Sequence, residues 1–346
     1  MSNEEDKTAA LSENIEGGMV EKVTDLAGDV LTGVPDPIRK NAFKAFAQLC
    51  TAAIDIPVAH LSGIAAEKRA EIQARIKIIN TGADQIANQM KMDPEYAKVA
   101  VKKYGQKIIR EQINLDIISE NAKQELLQLN IDKNDSSDTN PNEEISEDWL
   151  NIFEKEAVNK SSDEMRMLFG KILAGEISKP KSYSIKTIKI ISQLDNRAAT
   201  LFQIFCSLAV SLQAGNHIID GRVVSIEGNA GSNSLQKYGL SFDNLNILQE
   251  YGLIISDYNS YMGYSMCVAN NRQVLLSFMH QGKHFGLVLQ DGKSVDDLRL
   301  HGVALSNSGK ELLNIVDITP SGPYTNDLSE HFKNKGLDMI EISSSP

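Results

Sequence analysis

The sequence predicts a mainly α protein: an N-terminal long-helix bundle or hairpin, a helical subdomain, and a C-terminal winged-helix-like α/β module. Three observations carry that reading. The chain is 346 residues long with 42% apolar and 6% aromatic residues, so the apolar content is mostly aliphatic, which leans towards helix. Apolar residues before position 130 recur at helical steps. After position 215 the pattern changes to short strands around one helix. The length suits more than one domain. Thirty-five cations against 46 acids give −11 at pH 7, which opposes wholesale binding to phosphate backbones.

Local charge marks the joints. Residues 1–20 form an acidic tail, with Glu4, Glu5, Asp6, Glu13 and Glu16 against Lys7, and do not read as a secretory signal. The run Asp132 to Glu144 lacks apolar residues and reads as an acidic linker. The resulting boundaries are a long-helix domain over 21–130 and a linker over 131–146. A helical subdomain over 147–214 follows, then the α/β module over 215–317 and a helix/strand extension over 318–346.

In the long-helix domain, Pro35 and Pro37 bracket a break, and Pro57 should kink the helix that follows. Between Lys44 and Glu67 the only formal charge is Asp55. The polar residues and Pro57 make a helix packed on protein the first reading, with lipid contact at Asp55 an open test. Ile72, Ile76, Ile79, Ala83, Ile86 and Met90 recur at steps of four and three. Asp93-Pro94 starts the next helix, where Val101, Ile108, Leu115, Ala122 and Leu129 recur every seven residues. The predicted assembly face is therefore Ile72, Ile76, Ile79, Ile86, Val101, Ile108 and Leu115, implying a homo-oligomer.

The subdomain reads as four short helices. Trp149, Ile152 and Phe153 mark the first. Ser162 caps the second, ended by Ala174-Gly175, and Ser184 caps the third. The fourth carries Leu201, Phe205, Leu208 and Leu212. In the α/β module, strands are expected over Ile218–Ile226, Val274–Phe278 and Phe285–Leu289. The helix from Ser241 to Glu250 runs into Leu253-Ile254-Ile255, the join of a winged-helix unit, and Val303–Leu305 feeds a helix to Leu313.

The chemistry-bearing candidates are weak. His280 and His284 flank the hairpin Gln281-Gly282-Lys283 with no third clustered ligand. Asp132, Asn134, Ser136 and Glu143 have calcium-loop spacing, but Ser137 occupies the glycine position. Ser308-Gly309-Lys310 resembles the end of a phosphate loop, but Ala304 and Glu311 break the pattern. Gly228-Asn229-Ala230-Gly231 reads as a loop. Asp163 and Glu176 could act as acid and base in a metal-dependent nuclease or hydrolase, although acids in a first helical turn follow from the dipole. Cys50, Cys206 and Cys267 are distant and odd in number, consistent with a reducing cytoplasm. No cofactor is implied and no catalytic residue is assigned. The basic stretch Lys179, Lys181, Lys186, Lys189 and Arg197 could contact phosphates. The helix over 241–250 holds Asp243 and Glu250 but no cation, so nucleic acid is disfavoured.

Three segments act together as a signature. They are Val34-Pro35-Asp36-Pro37 with Asp55-Ile56-Pro57, then Arg110 to Ile118, then Glu147-Asp148-Trp149-Leu150 through Ser162-Asp163-Glu164 to Ala174-Gly175-Glu176. Over roughly residues 30–316 the chain resembles an uncharacterised bacterial family known only as a domain of unknown function, found in prophage-like and defence-type islands. The resemblance implies an antiphage or mobile-element role and transfers no catalytic residue. The expectation is a cytoplasmic sensor or effector, non-enzymatic, acting by self-assembly and by contact with a protein partner, a phage trigger or a membrane surface. A nucleic-acid-binding regulator is the alternative.

Overall fold

The computed structural model describes residues 34–50, 93–131, 143–215, 217–269, 276–294 and 297–342. They divide into two compact units, Met1–Ile188 and Lys189–Pro346. The tail over 1–20, Asp55, Pro57, the Ile72 to Met90 stripe, and Asp132, Asn134 and Ser136 lie outside the described residues.

The first unit is built on helices. Helix α1 (Asp36–Leu49) starts at Pro35, with proline again in its first turn. Helix α2 (Pro94–Ile131) is 38 residues long, about 57 Å at the usual rise. Asp93 starts it: its Oδ1 accepts from the backbone N–H of Glu95 at 2.8 Å, satisfying an otherwise orphan donor. Helices α3 (Glu147–Ala157) and α4 (Asp163–Ser178) follow. Ser162 Oγ caps α4 by accepting from Met165 N. Gly175 does not end this helix, which continues to Ser178. A Cβ there would lie 2.7 Å from the Tyr183 ring, so the glycine admits a packed aromatic rather than stopping the helix. Trp149 stacks on Phe153 and Phe153 meets Phe169, with centroids 5.0 and 5.5 Å apart.

Helices α5 (Ile185–Gln193) and α6 (Asn196–Leu208) lead into the sheet. Its strands are β1 (Val210–Ala214), β2 (His217–Val224), β3 (Ser260–Gly263), β4 (Phe278–His280), β5 (Lys283–Leu289), β6 (Arg299–Ala304) and β7 (Leu337–Glu341). Helices α7 (Phe242–Glu250), α8 (Asn307–Leu313) and α9 (Gly322–Asn334) complete the unit. The strands form one seven-stranded sheet in the order β3-β6-β2-β1-β4-β5-β7, and every pairing is antiparallel.

This corrects the expected fold class: the C-terminal half is not a winged-helix-like module. Two outer pieces of sequence decide the difference. Strand β1 lies inside the stretch expected as the fourth helix. Leu201, Phe205, Leu208 and Leu212 keep a helical step, but α6 stops at Leu208 and Ala209 turns extended at ψ 143°. Strand β7 comes from the last ten residues and pairs with β5. The segment after α7 is no wing strand. Gly252 turns the chain at φ +72°, and Ile254 makes a single bridge to Leu305. The β4–β5 turn has positive φ at both Gln281 and Gly282, the two-residue geometry that matches strand twist.

The core between sheet and α9 is aromatic. Phe278 meets Phe285 and Phe332 at 5.9 and 6.0 Å, and all three are buried. The Tyr324 hydroxyl accepts from Val224 N and donates to Val224 O, so a buried hydroxyl is satisfied on both sides.

Candidate contact surface on the long helix

Among the described residues the long helix has a buried apolar side and an exposed one. From Leu115 onwards Leu115, Ile118, Ala122 and Leu126 are at most 2% exposed, and α2 packs most extensively against α4. Gly170 of α4 permits the approach: a Cβ there would sit 2.6 Å from the Asn121 Cβ and 3.2 Å from Ala122 N. Polar side chains tie the same half. Asn114 Nδ2 donates to Val158 O at 2.7 Å, and its Oδ1 accepts from Arg166 Nη2 at 2.8 Å. Arg166 also donates to Asp163 and to Lys160 O. Gln112 donates to Leu49 O and to Asp116.

Before Leu115 the helix looks different. Tyr96, Val99, Ile109 and Ile113 are 64%, 55%, 61% and 47% exposed. They fall within about 140° of the helix circumference. Ala97 is buried and Val101 and Ile108 are half-buried on the opposite side. Tyr104 is exposed as well. Five cations, Lys98, Lys102, Lys103, Lys107 and Arg110, stand between Glu95 and Glu111, and all five are exposed. Lys98 pairs with Glu95 and Lys107 with Glu111, at 3.3 and 3.6 Å. An exposed apolar band of this kind is a candidate contact surface.

The structure places the sequence-predicted residues as follows. Of the assembly face, Ile72, Ile76, Ile79 and Ile86 lie outside the described residues. Leu115 packs inside its own unit, while Val101 and Ile108 are half-buried. The seven-residue repeat thus found the inward side of α2. Its outward side interleaves aliphatic and cationic residues and has no simple period to reveal it.

Lys181, Lys186, Lys189 and Arg197 are exposed and Lys179 is half-buried. Lys181 pairs with Glu143 at 3.1 Å and Arg197 reaches Asn244. Glu176 is 2% exposed, and its two oxygens accept from Lys181 N and Tyr183 N at 2.7 and 3.0 Å. Trp149 Nε1 donates to Tyr183 O. The carboxylate thus holds a tight loop in which Lys181 has φ +70°. Its geometry is that of a joint, not of an acid facing substrate. Asp163 sits at the start of α4 against Arg166.

His280 and His284 point to opposite sides of the sheet, because His280 pairs with Lys283 and His284 with the neighbouring Met279. His280 is buried, with Nδ1 against Ala209 O and Nε2 against Thr325 Oγ1. Burial holds its pKa below the usual value. Gly309 admits the Leu253 carbonyl, which would lie 2.1 Å from a Cβ, and Ser306 caps α8. Asn229 Oδ1 accepts from Gly231 N in the loop after β2. Cys50, Cys206 and Cys267 are buried and free. Burial pushes the Cys50 and Cys267 thiols up to about 12 and the Cys206 thiol up as well. They act as small apolar side chains.

One polar cluster had no sequence signal. Asp220 and Arg222 of β2 form a buried bidentate pair at 2.6 and 2.8 Å. Arg222 Nη1 donates to Ser260 O and Leu300 O, and the Tyr264 hydroxyl donates to Asp220 Oδ2. Every oxygen of the carboxylate is engaged, so the cluster joins β2 to β3 and β6. Its only trace in the sequence is an acid and a base two apart in a strand.

No group of three or more His, Cys, Asp and Glu that could hold a metal ion occurs among the described residues. Among the same residues no helix is long and apolar enough to cross a membrane. Comparison with known proteins gives one match, to a family described as "Protein of unknown function (DUF2806)", over residues 100–329. The chain belongs to this family. The matched range runs from the exposed half of α2 into α9, so it takes in parts of both units. No curated protein and no solved structure matches the chain.

Proposed function

We propose that the protein is a non-enzymatic sensor or effector of bacterial antiphage defence, working by contact rather than by turnover. The observation that carries this is the exposed aliphatic and aromatic band of α2, on a helix whose later half buries Leu115, Ile118, Ala122 and Leu126. Four large side chains at 47–64% exposure are costly to leave in water, and a binding partner removes that cost. Glu176, which looks catalytic in sequence, supports the same reading, because both its oxygens hold backbone N–H groups.

The test is infection of cells carrying the full chain or its Ile109→Asn/Ile113→Asn variant, with the melting midpoint measured on both proteins. Protection by the parent, lost in the variant at unchanged melting midpoint, supports the reading. Equal protection by both sinks it.

A second reading rests on a separate observation: Lys186 and Lys189 are exposed three residues apart on α5. As a nucleic-acid-binding regulator the protein would show steeply salt-dependent binding that weakens in Lys186→Glu/Lys189→Glu.

A further inference from the structure

We propose that the exposed face of α2 between Tyr96 and Ile113 lies on an anionic phospholipid surface, a reading that rests on the contact function above and names its occupant. The face carries two chemistries at once. Tyr96, Val99, Ile109 and Ile113 supply exposed apolar surface, and Lys102, Lys103 and Arg110 lie among them on the same side. Residues 95–110 hold five cations and one acid in a chain whose total is −11, so this stretch is basic against the charge of the whole.

Three occupants can be weighed. A second copy of the same face would set Lys102, Lys103 and Arg110 against one another, since an antiparallel pair crossing near residue 105 brings like charges together. A nucleic acid would satisfy the cations but gives three aliphatic side chains nothing to bury against. A bilayer with acidic headgroups satisfies both. Aliphatic side chains enter the acyl boundary, tyrosines sit at the interface, and lysines beside them extend along their stems to reach phosphate and carboxylate. Interleaved cation and aliphatic positions suit such a surface, which needs no matched register of acids. The stretch from Tyr96 to Ile113 is about 27 Å long, enough to lie flat on the interface. This is a helix on the surface, not across it.

The experiment is co-sedimentation of the full-length chain with phosphatidylcholine vesicles, pure or with about 30% phosphatidylserine. The expected result is binding to the serine-lipid vesicles and not to the pure ones, weakened about tenfold by raising salt from ~0.1 to ~0.5 M. Lys102→Glu/Lys103→Glu/Arg110→Glu and Ile109→Asn/Ile113→Asn each lose at least about tenfold in binding. Lys102→Arg/Lys103→Arg keeps it. All these side chains are exposed, so the variants keep the parent's melting midpoint, and that is measured alongside.

Equal binding to both vesicles, or binding indifferent to the substitutions, overturns the proposal. So does a dimer in light scattering that Ile109→Asn/Ile113→Asn dissolves, which would assign the face to a second copy. Binding of a short DNA duplex that needs the three cations and ignores Ile109 and Ile113 would assign it to nucleic acid. If vesicles do not bind but the isoleucine variant still abolishes protection in infected cells, the lipid occupant fails and the contact function stands. If the variant changes neither, both fail.

Discussion

The two halves of the long helix are made of similar residues and meet opposite fates. After Leu115, Leu and Ile side chains disappear into contact with α4, and Asn114, Gln112 and Arg166 close the joints around them. Before Leu115, Val, Ile and Tyr side chains of the same size remain in water. The difference is whether a neighbour's backbone can come close, as Gly170 lets α4 do.

The sharpest way to break that contrast is a matched pair of truncations. Ile118→Ala should cost about 2–5 kcal/mol in urea denaturation, as expected for emptying a packed site. Ile109→Ala should stay within about 0.5 kcal/mol of the parent. Similar losses from both would mean that the outer face is packed after all, and the comparison would collapse.

Asn114→Ala tests the polar joint of the packed half. It strands Val158 O and removes an acceptor from Arg166, and should cost about 1–3 kcal/mol. A chemical-denaturation midpoint equal to the parent's would show the joint to be incidental.

Gly170→Ala probes the close approach itself. The new methyl meets the Asn121 Cβ at 2.6 Å, an overpacking loss of about 1–3 kcal/mol, and alanine's better helix propensity returns about 1 kcal/mol. A small net destabilisation is expected in calorimetry, whereas a stabilised variant would mean the helices separate freely.

The smallest effect concerns the packed histidine of the β4–β5 hairpin. His280 is buried and its folded pKa lies below the ordinary value of about 6.5. The folded state therefore binds fewer protons than the unfolded chain. The stability from the neutral ring is fully present above about pH 6.5 and is lost as pH falls from there towards the folded pKa. His331, also lowered by burial, contributes with the same sign. His280→Gln should flatten the decline in melting midpoint on acidification below about pH 6.5. A profile unaltered by His280→Gln would show that another group sets it.

Much of the first unit was legible in the residues. Asp93-Pro94, the Ser162 cap and the step of Val101, Ile108, Leu115 and Ala122 are local signals, and α2 and α4 follow them. The sheet was not legible as a sheet. Several strands, such as Phe285–Leu289, stood out singly. Their partners did not, because Val210–Ala214 continues a helical spacing and Leu337–Glu341 lies some 50 residues from β5 in the chain. The Asp220–Arg222–Tyr264 cluster was hidden for the same reason, since its members meet only when β2, β3 and β6 pair.

By itself the sequence determined the starts of α2 and α4 and the concentration of cations over 95–110. These depend on neighbours within about one or two turns, where spacing alone fixes which side chains share a face. Tertiary structure alone decided that seven strands form one antiparallel sheet, that Glu176 holds a loop, and that the outer side of α2 stays uncovered. Those outcomes depend on which distant backbones approach one another, and residue spacing along a chain carries no record of that distance.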